Sequence, residues 1–271
     1  MSKVYKLGKL PATYDSRDLW FSDYQTGKLP PVPKVFGHEN LIGKTQWLML
    51  GNSEDDTVAP GFQGCGDCFF AGSAHETMMW IKEAGGTPEF DAKSTIKSYS
   101  EVTGYNIDNP DSDSGTDVRE GMKYRKNTGI LDAKGNRHKI GAYVALEPGN
   151  LDHLYEAIYL FGAVGIGLDF PESAMDQTQQ GCVWSVVPGA QSAGGHYVSL
   201  VAKRQYIECV TWGQIQPMTN SFYQKYCEEA WVLLSEEMLN SGKSPEGFDI
   251  NTLKADLQAL KDPNADQQDN G

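Results

Sequence analysis

A glycine-rich turn that runs straight into an apolar helix constrains this chain more than any other stretch of its sequence. Residues 63–73 read QGCGDCFFAGS, and from Cys68 onward apolar residues recur at helical spacing until Gly85 and Gly86. This pattern predicts a buried helix whose first turn contains Cys68. Because the free N–H groups and the positive end of a helix dipole stabilise a thiolate, we expect the pKa of Cys68 to be lowered into a reactive range.

The same stretch resembles the active-site segment of the papain-like cysteine peptidases, whose motif has the form Q-G-x-C-G-S-C-W-A-F-S. The resemblance implies that Cys68 is the nucleophile and that Cys65 matches the first cysteine of the motif. It also implies that Gln63 helps the backbone N–H of Cys68 to form an oxyanion hole. The chain departs from the motif, because Gln63 lies one residue closer to the cysteine, Asp67 replaces serine and Phe69 replaces tryptophan.

A second stretch contains the histidine that such a cysteine needs. Residues 194–201 read GGHYVSLV, which predicts a strand with His196, Val198 and Leu200 on one face. The family has its catalytic histidine at the start of a strand that follows a glycine-rich loop. The resemblance therefore implies that His196 protonates the leaving amine and activates water, and that Gly195 contacts substrate. A histidine at a strand start is otherwise usually a buried polar group, just as a lone cysteine is usually structural.

The strand after His196 is predicted to end at Thr211 and leads into Trp-Gly, which resembles the N-S-W-G of the family. Two residues before Trp212, where the family has the asparagine that orients the imidazole, the chain has Val210. The third catalytic residue is therefore missing or supplied from elsewhere, and we predict Thr211, because a register shift of one residue places its hydroxyl there. Trp212 is expected to shield the histidine from water. The other candidates for the third residue are Gln214 and Asn220.

Two further segments resemble parts of the family. Residues 10–17, LPATYDSR, lie in a proline-rich arm predicted to be extended and resemble the L-P-x-x-x-D-x-R that opens the mature enzyme. Ser114 and Gly115 precede a helix that we predict to begin with Thr116 as its N-cap, so the resemblance makes them candidate contacts for an extended substrate backbone. No segment resembles the long inhibitory propeptide of the family, which implies a bacterial or phage relative that is not stored as a zymogen.

The resemblance spans about residues 10–235 and implies an α+β, papain-like fold with two lobes around an active-site cleft. A helical lobe presents Cys68, and a β-barrel-like lobe presents His196. The periodicity agrees, because it predicts helices first and strands later. The predicted divisions are an extended N-terminal arm (1–45), the helical lobe (46–150), the β-rich lobe (151–238) and a polar, partly disordered tail (239–271).

Composition and charge limit the partners of the chain. The net charge is −13, with 36 acidic against 23 basic residues, and the basic residues are scattered, so we expect neither nucleic acid nor a membrane as a partner. The N-terminus lacks the apolar core of a signal peptide, and the most apolar run, 157–168, is too short to span a bilayer, which predicts a cytoplasmic protein. Five cysteines, an odd number, suit a reducing compartment better than a disulfide framework.

The favoured hypothesis is a cysteine peptidase, a thiol hydrolase that acts on a peptide or protein substrate with no cofactor and no metal. The alternative is a catalytically impaired papain-like module that binds peptides or has a structural role, because valine replaces the family asparagine. A third hypothesis makes Cys65 and Cys68, with His75, half of a zinc site or a redox pair, although no second pair completes four ligands. A calcium loop at Asp111 and Asp113 is a weaker alternative, because the spacing of an EF-hand is absent.

Overall fold

An antiparallel sheet of seven strands lies between two hydrophobic cores in the computed structural model, which describes residues 5–26, 31–38, 47–236 and 248–259. Its strands are β1 (Phe36–Gly37), β4 (Ile140–Leu146), β5 (Val164–Pro171), β6 (Ser192–Lys203), β7 (Ile207–Thr211), β8 (Gln214–Met218) and β9 (Cys227–Ser235). The order across the sheet is β4-β9-β5-β6-β7-β8, and β1 pairs with β6. A separate two-stranded sheet pairs β2 (Ile130–Leu131) with β3 (Arg137–His138).

Four of the helices begin after a residue whose side chain caps the helix, namely Asp91, Asp117, Asn150 and Thr219. The described helices are α1 (Cys68–Glu83), α2 (Ala92–Thr103), α3 (Val118–Asn127), α4 (Leu151–Phe161), α5 (Glu172–Gln179), α6 (Asn220–Tyr226) and α7 (Ile250–Ala259). Asn150 and Thr219 cap α4 and α6 as predicted. The prediction of Thr116 as the cap of α3 is wrong: Asp117 accepts the N–H of Glu120 instead. Thr116 lies one residue too early, in a segment whose backbone pairs with the N-terminal arm.

Strand β6 lies between two hydrophobic cores, and its alternation is the predicted one. Val198 and Leu200 face the core that contains α4 and α6, whereas Tyr197 and Val201 face the core around α1. Both faces are buried, so the strand is apolar on each side. The helices α1–α3 come first in the chain and most of the sheet comes later, which confirms the predicted α+β class.

Helix α1 lies unusually close to β6, because Gly72 has no side chain at the contact. A Cβ atom at Gly72 would lie 2.8 Å from Cδ1 of Tyr197. One helical turn later the buried carboxylate of Glu76 pairs with Arg125 and accepts hydrogen bonds from the hydroxyls of Tyr197 (3.1 Å) and Ser199 (2.9 Å). A buried ion pair whose oxygens are hydrogen-bonded fixes the helix against the strand.

Two of the predicted divisions of the chain can be compared with the positions of the elements, namely the start of the β-rich lobe and the C-terminal tail. Strand β4 belongs to the large sheet although it precedes residue 151, the predicted start of the β-rich lobe. Of the predicted tail, the structure describes 248–259, where Leu253 of α7 is buried in the core beside Phe21; the rest of 239–271 lies outside the described residues. In the described part of the chain, no helix combines the length and the apolar character that crossing a bilayer requires.

Candidate active site

Cys68 is the first residue of α1, and its side chain abuts the strand that contains His196. The backbone N–H of Tyr197 donates to Sγ of Cys68 at 3.4 Å, and the thiol is 1% exposed. Burial raises the pKa of Cys68 to about 12, against the opposing effect of the Tyr197 N–H. The expectation of a lowered pKa is therefore wrong for this conformation, because loss of water outweighs the helix N-terminus.

His196 is equally buried, and its ring is fixed on three sides. Nε2 lies 2.8 Å from the hydroxyl of Thr211. The ring stacks on Trp212 with centroids 4.4 Å apart, and the edge of Phe170 closes a further side. Burial lowers the pKa of His196 to about 3, so the imidazole is neutral. Nδ1 is buried and has no hydrogen-bond partner within the described residues.

A tight hairpin places Trp212 over the histidine. Thr211 of β7 pairs with Gln214 of β8, and the two residues between them have positive φ, 47° at Trp212 and 71° at Gly213. Positive φ at both central residues is the geometry of a type I′ turn, whose twist suits a two-residue hairpin. The turn presents the indole between two rings, because Tyr5 stacks on its other face at 4.6 Å. This covering of the imidazole is what the sequence predicted for Trp212.

The N-terminal arm lies in the space between the two predicted substrate-binding glycines. The N–H groups of Gly8 and Lys9 donate to the carbonyl of Gly195 at 3.2 and 3.0 Å, and the N–H of Thr116 donates to the carbonyl of Gly8 at 2.7 Å. A Cβ atom at Gly115 would lie 2.5 Å from the Gly8 carbonyl oxygen. The arm therefore pairs with both sides of the cleft and passes over the thiol.

Two of the predicted site residues are exposed. Gln63 is exposed, and its amide donates to the carbonyl of Gly61 at 3.3 Å. The expectation that Gln63 helps to form the oxyanion hole is therefore wrong for this structure. The glutamine lies one residue closer to the cysteine than in the family motif, and its amide binds the Gly61 carbonyl instead. Ser114 is also exposed, whereas its neighbour Gly115 is buried and donates its N–H to the hydroxyl of Tyr99.

The residues considered for metal binding have other partners. Nε2 of His75 lies 2.8 Å from the carbonyl of Leu48, and the carboxylate of Asp113 accepts the N–H of Gly66 (2.9 Å) and the hydroxyl of Tyr99 (2.5 Å). All five cysteines are free thiols. Among the described residues, no three histidine, cysteine or acidic side chains are grouped as metal ligands would be.

A buried carboxylate lies next to Cys68 in the chain, and the sequence analysis did not predict its burial. Asp67 is fully buried and accepts a hydrogen bond from the amide of Asn52. Burial, and then the nearby charge of Asp113, raise the pKa of Asp67 well above its ordinary value. The signal was present, because Asp67 stands where the family motif has serine.

No protein-family model matches this sequence, and no curated protein matches it at the level of sequence. Solved structures of similar fold include xylellain, a cysteine protease from Xylella fastidiosa, with a TM-score of 0.64 and 14% identity over 87% of this chain and 98% of xylellain. They also include procathepsin B S9 from Trypanosoma congolense, with a TM-score of 0.54 and 11% identity over 85% of this chain and 86% of the other.

A third similar structure is a cysteine protease from Carica candamarcensis, with a TM-score of 0.51 and 12% identity over 75% of this chain and 99% of the protease. At such identities a structural likeness establishes the fold and not the activity. The geometry of the cleft and these three likenesses agree with the fold expected from the sequence. The chain therefore has the papain-like fold, in a strongly divergent form.

Proposed function

We propose that this chain is a cysteine peptidase that hydrolyses peptide or amide bonds with Cys68 and His196. One observation carries the proposal: the thiol at the N-terminus of α1 touches the backbone of β6 at Tyr197, the residue that follows a histidine oriented by Thr211. A nucleophile, a base and a group that orients the base then lie side by side. Trp212 excludes water from the imidazole.

In the proposed reaction, His196 takes the proton of the Cys68 thiol as the thiolate attacks the carbonyl carbon of the scissile amide. The C–N bond then breaks, and the imidazolium returns the proton to the leaving amine. Water attacks the thioester while His196 accepts its proton, which releases the carboxylic acid and restores the thiol. We assign stabilisation of the oxyanion to the backbone N–H of Cys68 at the start of α1, a donor worth about 3–4 kcal/mol in comparable sites.

A peptide can reach the thiol only after the arm has left the cleft. Gly8 packs against the cysteine turn so closely that a Cβ atom there would lie 1.9 Å from the carbonyl oxygen of Gly66. The described conformation is thus a closed one, in which both Cys68 and His196 are neutral because they are buried. Displacement of the arm rehydrates both groups and permits the thiolate–imidazolium pair to form.

A second candidate function is a peptide-binding module without catalysis. It is favoured by one observation, that no hydrogen bond joins Cys68 to His196 among the described residues. In that case the cleft still holds an extended peptide through Gly195 and Thr116, as it holds the arm.

The test is hydrolysis of a fluorogenic peptide library by the wild-type chain and by Cys68→Ser and His196→Ala. Cys182→Ser, which changes an exposed thiol in the turn after α5, is the matched control. We expect cleavage by the wild type and the control only. Iodoacetamide labelling, located by mass spectrometry, reports the reactivity of Cys68 independently. Peptide binding without cleavage, with labelling of Cys68 unchanged in His196→Ala, would favour the module and sink the enzyme.

A further inference from the structure

The arm in the cleft carries a buried ammonium group. The side chain of Lys9 is 0% exposed, and its Nζ lies 2.7 Å from Oε2 of Glu228 and 3.4 Å from Oε1 of Glu229. Removal of a lysine ammonium from water is costly unless it is paired with an opposite charge. The two carboxylates supply that pairing, so this part of the cleft is built to hold a cation.

The space that Lys9 fills is a pocket formed by Gly167, Glu228 and Glu229, which we name the Lys9 pocket. Gly167 pairs with Tyr197 of β6 and with Glu229 of β9, so the pocket lies in the sheet beside the histidine strand. A Cβ atom at Gly167 would lie 2.3 Å from Cε of Lys9 and 2.7 Å from Cγ of Glu229. The missing side chain of Gly167 is therefore what makes room for the lysine stem.

Glu229 is poised to receive a cation. Its side chain is 6% exposed, and Oε2 accepts the indole N–H of Trp231 at 2.9 Å. Oε1 is buried and has no hydrogen-bond partner within the described residues; the Lys9 ammonium is the charge that faces it. When the arm leaves the cleft, this carboxylate loses the cation that faces it, and an uncharged side chain that fills the same space would bury it unpaired.

We propose that the Lys9 pocket is a specificity pocket for the substrate and takes a lysine or arginine side chain. The inference rests on the proposed peptidase function and deepens it. An extended peptide that replaces the arm uses the same backbone groups, the carbonyl of Gly195 and the N–H of Thr116. Because the backbone partners are shared, one side chain of such a peptide enters the pocket that Lys9 has vacated.

Selectivity follows from the charge left behind in the pocket. A lysine or arginine side chain restores the ion pair with Glu229 and Glu228, whereas norleucine, which has a similar length and no charge, leaves the buried carboxylate unpaired. A site whose buried polar group is left without its partner discriminates strongly against the analogue that lacks the partner. An acidic side chain is the least favourable occupant, because it adds a like charge to the two carboxylates.

The test measures how fast Cys68 of the full chain reacts with peptidyl ketone probes of matched sequence. Lysine, norleucine or glutamate is placed in turn at each of the three positions before the reactive group, and labelling is located by mass spectrometry. The need to open the arm slows every peptidyl probe equally. The ratio of the reaction rate of the lysine probe to that of the norleucine probe therefore measures the preference of the pocket. Lys9→Met, which weakens the hold on the arm, provides a second background in which the same ratio is measured.

At one position we expect the lysine probe to react about tenfold faster than the norleucine probe, or more, as is typical when one partner of a buried charge pair is missing. Glu229→Gln should lower the ratio, and Glu228→Gln combined with Glu229→Gln should bring it close to one. Glu172→Gln, which changes an exposed carboxylate at the start of α5, should leave it unchanged.

Two results would overturn the inference, and they differ in what they say of the enzyme. If the lysine and norleucine probes label Cys68 at equal rates at every position, the proposed specificity pocket is refuted and the proposed peptidase function is not. If iodoacetamide labels Cys68 but no peptidyl probe does so, in the wild type and in Lys9→Met, then the cleft does not bind peptides. Both the peptidase function and the specificity pocket are then refuted.

Discussion

The hydroxyl of Thr211 lies 2.8 Å from Nε2 of His196, on the face of the sheet that Val210 cannot reach. Neighbouring residues of a strand point to opposite faces. Val210 pairs with Ser199 and lies in the core around α1, so Thr211 points to the other side, where the imidazole is. A shift of one residue thus replaces the expected asparagine with a threonine hydroxyl.

Removal of this hydroxyl should impair the reaction. Thr211→Val leaves Nε2 of His196 buried without a partner, and we expect kcat/KM for peptide hydrolysis to fall about tenfold to a hundredfold, since such a loss costs about 1–3 kcal/mol. Thr211→Asn, whose amide can accept the same proton, should retain most of the activity. Thr87→Val, at an exposed position, is the control. Full activity of Thr211→Val would show that the hydroxyl does not orient the ring.

The fit of Gly8 against the cysteine turn predicts that a methyl group there opens the cleft. In Gly8→Ala the new Cβ would overlap the carbonyl of Gly66, a backbone atom that cannot swing away. Overpacking of this kind costs about 1–3 kcal/mol, so iodoacetamide labelling of Cys68 should accelerate about tenfold to a hundredfold. Ser16→Ala, at an exposed position of the same arm, should change nothing. Unchanged labelling in Gly8→Ala would mean that the arm does not guard the thiol.

The buried pair of Glu76 and Arg125 predicts a large effect on stability. Glu76→Gln leaves the guanidinium buried without its counter-charge, and we expect the free energy of unfolding in urea to fall by about 3–5 kcal/mol. The exposed pair of Glu120 and Lys123 serves as the comparison. Glu120→Gln should change stability by less than about 1 kcal/mol, as surface ion pairs do. Similar effects of the two substitutions would contradict the role of the buried pair.

The buried ring of His75 predicts a loss of stability in acid. Burial lowers its pKa from 6.5 to about 4. Between these values the unfolded state binds a proton here that the folded state does not, so the free energy of unfolding falls as the pH falls, by up to about 1.4 kcal/mol per pH unit. Buried His196 contributes in the same direction.

The check is the free energy of unfolding of the wild type and of His75→Gln at pH 7 and at pH 4.5. The variant lacks the titrating group and should lose about 2 kcal/mol less over this interval. Ser16→Ala, at an exposed position without a titrating group, should keep the dependence of the wild type. The same pH dependence in wild type and His75→Gln would refute the prediction.

Local signals in the sequence were enough for most of the elements. The helix from Cys68 and the strand through His196 lie where the hydrophobic periodicity and the flanking glycines predict them. Asn150 and Thr219 cap their helices as predicted. These features depend on neighbouring residues, because capping and alternation act within one or two turns of the chain. The cap of α3 was misplaced from Asp117 to Thr116 because two capping residues are adjacent there.

The pKa of the Cys68 thiol could not be predicted from the neighbouring residues in the sequence. The position of Cys68 at a helix N-terminus argues for a low pKa, and the structure reverses the sign because the thiol is fully buried. That burial depends on Gly8, which lies in a separate segment of the chain. Likewise Glu76 and Arg125 occupy two different helices, and neither helix alone indicates that its charge is buried.

The sequence by itself indicated the candidate residues: a cysteine that opens a helix, a histidine that opens a strand, and a Trp-Gly hairpin with a threonine before it. Only the tertiary structure decided what these residues meet, and above all that Lys9 lies against Glu228, 219 residues away, with the arm across the cleft. The physical reason is the distance along the chain over which each effect acts. Capping and periodicity act between neighbours, whereas burial and charge pairing depend on segments that only the folded chain brings together.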